Sequence, residues 1–83
     1  MELEEITEFI DNKIRKDSNK VIISFFELKV KRGLTNERLL STMNLMAIKL
    51  NNMGYKVYRT GQKYIYENKE HIIESNVLLV AIK

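Results

Sequence analysis

The chain has 83 residues, with 14 Lys and Arg against 11 Asp and Glu, one His and no Cys. That makes a single domain, residues 1–83, near the small end of what can bury its own core, and it excludes a disulfide scaffold, thiol catalysis and Cys-ligated metals. At 45% apolar and 30% charged residues it has the composition of a soluble domain, with no apolar run near the roughly 18–20 residues of a membrane span and an acidic start unlike a signal peptide.

The net charge of +3 is unevenly spread: residues 1–19 sum to −3, residues 20–63 to +7 and residues 64–83 to −1. A central basic block beside an acidic segment points to a polyanionic partner. In chain order, Leu3, Ile6, Phe9, Ile10 and Ile14 recur at helical spacing. Acids fill the first turn of that helix and Lys13, Arg15 and Lys16 its last, as the helix dipole prefers. Asp17-Ser18-Asn19 ends it.

The β-branched run Val21-Ile22-Ile23 reads as a strand covered on both faces. From Phe26 onward, Phe26, Leu28 and Val30 alternate with Glu27, Lys29 and Lys31, which predicts a half-exposed strand closing at Lys31-Arg32-Gly33. Thr35 or Asn36 then caps a second helix. Its core stripe is Leu39, Met43, Met46, Leu50 and Met53, and Gly54 stops it. Leu45 and Ile48 fall on the opposite side, toward the first helix or a second subunit.

Tyr55–Tyr66 and His71–Ile82 are strand-like runs around a four-residue loop, Glu67-Asn68-Lys69-Glu70. Symmetric pairing sets Tyr66 opposite His71, Tyr64 opposite Ile73 and Val57 opposite Val80. A bulge at Gly61 would bend the ribbon and shift that register. Val77–Ile82, apolar on both faces, should be a central strand. A straight twelve-residue ribbon spans about 40 Å, against a body about 30 Å across, so an arm at residues 59–77 is expected to project. Its tip carries Lys63, Tyr64, Tyr66, Lys69 and His71, suited to a nucleic-acid groove.

The expected order is therefore α-β-α-β-β in an α/β (α+β) two-layer sandwich. Here Glu27-Leu28-Lys29-Val30-Lys31-Arg32-Gly33 resembles the strand-to-helix junction of the Alba family of archaeal chromatin and RNA-binding proteins. Tyr58-Arg59-Thr60-Gly61-Gln62-Lys63 resembles that family's entry into its arm, and Val77–Lys83 its last strand. Two features differ: the family's first strand is missing, and Leu34-Thr35-Asn36-Glu37-Arg38 replaces its usual signal after the glycine.

The resemblance implies a sandwich like the C-terminal domain of translation initiation factor 3, a homodimer with two hairpin arms, and binding to DNA or RNA with little sequence preference. With the exclusions drawn from composition, the expectation is a cytoplasmic, chromosome-associated protein with no cofactor, metal, membrane or small-molecule substrate. On this reading the nucleic-acid contacts are Lys29, Lys31 and Arg32 at the strand–helix turn, Arg59 at the arm's base, and Lys63, Tyr64, Tyr66 and Lys69 along the arm.

A second reading is a winged helix-turn-helix regulator. There Phe25–Lys31 is a short helix, Gly33-Leu34-Thr35 the turn, residues 36–53 the recognition helix, and Asn52-Met53-Gly54-Tyr55 the step into the wing. A third is a protein–protein interaction module using Tyr55, Tyr58, Tyr64 and Tyr66. No enzyme is expected: His71 has Glu70 and Glu74 nearby, but neither a nucleophile nor a glycine-rich phosphate loop accompanies it.

Overall fold

The computed structural model describes residues 1–83 as an α+β fold. Helix α1 (Leu3–Lys16) leads into strand β1 (Lys20–Ser24), a π helix (Phe26–Lys31) and helix α2 (Asn36–Asn52). Four strands follow: β2 (Lys56–Arg59), β3 (Lys63–Tyr66), β4 (Lys69–Ile72) and β5 (Val77–Ile82). One antiparallel sheet has the order β1-β5-β2, and β3-β4 is a separate hairpin.

The largest difference from expectation lies at residues 26–31, which form a helix and not a strand. Only Leu28 of the alternating set is buried, at 0% exposure, while Phe26 is 56% and Val30 60% exposed. A strand would have sent all three to one face. Ser24 and Glu27 start this helix as a capping box. The Glu27 backbone N–H donates to the Ser24 Oγ at 3.2 Å, and the Ser24 N–H donates to the Glu27 Oε1 at 3.1 Å. Arg32–Thr35 form the turn into α2, with Gly33 at φ +65°, a backbone that glycine adopts without steric cost. Thr35 caps α2 by accepting from the Arg38 N–H.

Strand β5 occupies the centre, as its two-faced apolar run predicts. Its register sorts the sheet's side chains. Val21, Ala81 and Val57 share one row, as do Ile23, Leu79 and Arg59, and both rows face the helices. The rows Lys20–Ile82–Lys56 and Ile22–Val80–Tyr58 face the other way. Ile22 is therefore 41% exposed, although the continuous apolar run suggested cover on both sides. The main core lies between sheet and helices, with Ile6, Ile10, Ile23, Leu28, Met46, Leu50 and Leu79 all essentially inaccessible. Tyr55, also in that core, donates from its hydroxyl to the Ser18 carbonyl at 2.6 Å, which satisfies the one polar atom of the ring.

The hairpin register is a second correction. The expected pairs Val57–Val80 and Tyr66–His71 are replaced by Val57–Ala81 and Tyr66–Lys69. Between the two ladders, Gly61 turns at φ +86° and its N–H donates to the Ile73 carbonyl, the interruption expected at that glycine. The tip closes in two residues, Glu67 (φ 51°) and Asn68 (φ 64°), rather than four. Positive φ at both positions is what a tight hairpin needs, and Glu tolerates it poorly. The double change Glu67→Asn with Asn68→Gly is expected to stabilise the domain by about 0.5–1 kcal/mol. In a thermal melt that is a rise of roughly 2–8 °C.

The arm does not project. The molecule measures 35 × 24 × 19 Å, less than the straight ribbon would need. The hairpin folds back over the sheet face that the helices leave open. There Tyr64, Ile73 and Val80 form a second small core flanked by Tyr58, Tyr66, Val77 and Ile82. Tyr64 lies 5.8 Å from Tyr58 and stacks on His71 at 5.0 Å. The Lys20 Nζ sits 5.2 Å from the Tyr64 ring centre and 4.7 Å from that of Tyr66, a pair of cation–π contacts that hold the hairpin down.

Candidate nucleic-acid interface

The residues that the sequence marks as nucleic-acid contacts are scattered over the fold. Lys29, half-buried, donates to the Asn36 Oδ1 at 2.9 Å, tying the π helix to the start of α2. Lys31 is exposed. Arg32 stands 3.6 Å from the Glu5 carboxylate and 5.5 Å over the Phe9 ring, so it clamps α1. Tyr64 is buried and Tyr66 half-buried under Lys20, and neither ring is free to stack on a base. Lys63 pairs with Glu70 at 3.4 Å, both largely exposed, and Lys69 lies exposed at the tip.

Arg59 is different. It ends β2, its row faces the helices, and its guanidinium donates to the Asn44 side-chain oxygen at 3.0 Å. That bond joins the strand to the outer face of α2. Gln62 steadies the turn beyond by accepting from the Arg59 N–H at 2.7 Å. Around Asn44, α2 exposes Glu37, Arg38, Leu40 and Ser41, while Leu39, Thr42, Met46, Ala47 and Leu50 are buried. The exposed side chains carry donors, acceptors and one apolar contact, the kinds of group that read base edges. Arg38, Ser41 and Asn44 were not named one by one from the sequence, although the winged-helix reading placed them on its recognition helix, residues 36–53. The local signal in favour of that reading is the spacing Ser24-x-x-Glu27, a helix start.

The ion pair between Lys13 of α1 and Glu27 of the π helix is structural. Burial alone would raise the Glu27 carboxyl, but the Lys13 hydrogen bond, two bonds from Ser24 and the Lys13 charge outweigh it and hold the group below the usual 4.5. The folded state therefore releases that proton more readily than the unfolded chain. Its stabilising contribution is complete above pH 4.5 and is lost as pH falls through the lower folded value. Denaturant midpoints measured from neutral to acidic pH should fall less steeply below that point in Glu27→Gln than in the native chain.

No helix is long and apolar enough to cross a membrane. Comparison with protein-family models, with curated proteins and with solved structures finds no match.

Proposed function

We propose that the chain is a winged helix-turn-helix nucleic-acid-binding protein in which α2 enters the major groove of a duplex. The observation that carries the reading is the π helix at residues 26–31. With the four-residue turn Arg32–Thr35 and α2 it makes the two-helix unit of helix-turn-helix proteins. The sheet β1-β5-β2 behind it supplies the ribbon, and the Arg59–Asn44 bond sets the ribbon's end beside the exposed face of α2.

The Alba-like reading needs a strand through Glu27–Lys31 and a free arm. The helix and the folded-back hairpin remove both. The two readings share a polyanionic partner, and the excess of +7 over residues 20–63 supports that part of either. They differ in sequence preference. A groove-reading helix should favour particular sequences, with each wrong base pair costing about 1–3 kcal/mol. Selection from random duplexes, followed by affinity measurement at several salt concentrations, tests the proposal. Enrichment of a short motif, bound with a steep salt dependence, is the expected result. Uniform affinity for all duplexes would return the reading to sequence-tolerant binding, and affinity unchanged by salt would remove nucleic acid altogether.

A further inference from the structure

Two lysines that the α2 face does not use, Lys56 and Lys63, come together on the opposite side of the sheet, and Lys83 reaches the same groove from the C-terminal end of α2. Lys56, Lys63 and Lys83 line a groove of about 540 Å³ between β2 and β3, with Gly54, Tyr58, Tyr64, Ile65 and Ile82 completing its wall and no carboxylate among them. Sheet register explains the placement: Lys56 stands beside Ile82 on the outward-facing row, while Arg59, three residues on, points to the helices. The folded-back hairpin adds Lys63 from the other bank. Lys83 closes one end: its ammonium donates to the Met53 carbonyl at 3.2 Å and lies 4.7 Å from the Tyr55 ring centre, so it adds positive charge at the rim. Tyr64, fixed by Tyr58, His71 and Lys20, makes the floor rigid.

We infer that this groove binds the phosphate backbone of a second nucleic-acid segment, so that one molecule joins two. The inference rests on the α2 reading for the first segment only. Lys56 makes no ion pair, and the exposed Lys63–Glu70 pair at 3.4 Å is weak enough for a phosphate to replace it. Ammonium groups recognise phosphate oxygens as point charges and carry no base preference. The α2 face and the groove lie on opposite sides of the sheet. Duplex DNA stays straight over about 150 base pairs, far beyond this molecule's 35 Å length. A duplex seated on α2 therefore leaves the groove to another segment.

The test uses the full chain with two 20-base-pair duplexes, one carrying a donor dye and one an acceptor. The native protein should bring the dyes together. The variant Lys56→Gln/Lys63→Gln, both positions exposed and its fold checked by thermal melting, should lose that signal and keep its affinity for a single duplex within about threefold. Its residual salt slope is then that of the α2 site alone, while binding measured with both segments present loses about two counterions. Energy transfer that survives the double change would overturn the groove as the second site. So would a native chain that never bridges while the lysine variant loses single-duplex affinity, because groove and α2 would then share one duplex. If Arg38→Ala leaves single-duplex binding intact while the lysine variant abolishes it, the groove stands as a nucleic-acid site and the α2 reading falls.

Discussion

Leu28→Ala is expected to cost about 2–5 kcal/mol of stability, while Phe26→Ala and Val30→Ala should each stay within about 0.5 kcal/mol of the native chain. Leu28 is wholly buried against the main core, so truncation leaves a cavity between α1, α2 and the sheet. Its neighbours two residues away are more than half exposed. For a domain of this length, total stability sits near the low end of about 5–15 kcal/mol, so the Leu28 variant should keep only about 0–3 kcal/mol and melt at a much lower urea concentration. Urea midpoints of the three variants read the difference directly. Three comparable losses would mean that residues 26–31 share one buried face, as in a strand, and the proposed helix-turn-helix reading would fall with them.

The second large effect concerns binding. Arg38→Ala should weaken association with a preferred duplex by about 1–3 kcal/mol, roughly fivefold to 150-fold, if its guanidinium reads a base edge. Arg59→Ala should weaken all duplexes alike and lower the salt slope by about one, as the loss of a phosphate contact does. It also frees Asn44 from its only side-chain partner on the strand, so Asn44→Ala and Arg59→Ala should be less than additive. Arg32→Ala is the informative contrast. Arg32 spends its charge on Glu5 and its flat face on Phe9, so its removal should shift thermal stability slightly and leave the salt slope unchanged. A loss of binding equal to that of Arg59→Ala would restore Arg32 to the interface.

Much of this architecture is written locally in the chain. The apolar spacing from Leu3 to Ile14 and the basic last turn mark α1 over its observed span. Leu39, Met46 and Leu50 mark the buried stripe of α2, and the unbroken run Val77–Ile82 marks the central strand. Residues 26–31 misled because six residues are too few for periodicity to separate a strand from a helical turn and a half. Aromatic and β-branched residues at 26 and 30 tilt the choice toward a strand. The decision is tertiary: Leu28 has a pocket between the helices, whereas Phe26 and Val30 have none. The counter-signal was local after all, in the Ser24–Glu27 capping pair.

The hairpin shows the opposite limit. Gly61 announces the break between its two halves, but Glu67-Asn68 lacks the Asn-Gly or Asp-Gly signature of a two-residue turn, so the register slips at the tip. That the hairpin folds back depends on Tyr64 meeting Tyr58 and Val80 from distant parts of the chain. This contact also gathers Lys56, Lys63 and Lys83, which are spread over residues 56–83 and have no common sequence pattern. The same folding withdraws Tyr64 and Tyr66 from the role their composition suggested. Charge segregation was legible as a basic block; its division between two sides of one sheet was not.

The central claim is that α2 and the end of β2 form the surface that meets nucleic acid. Amide chemical shifts of the uniformly labelled protein, recorded as duplex DNA is added, test it residue by residue. Changes concentrated on residues 36–45 and 59–62 are the predicted result. Changes confined to α1 or to the hairpin tip at residues 66–69, or none at all at low salt, would contradict it.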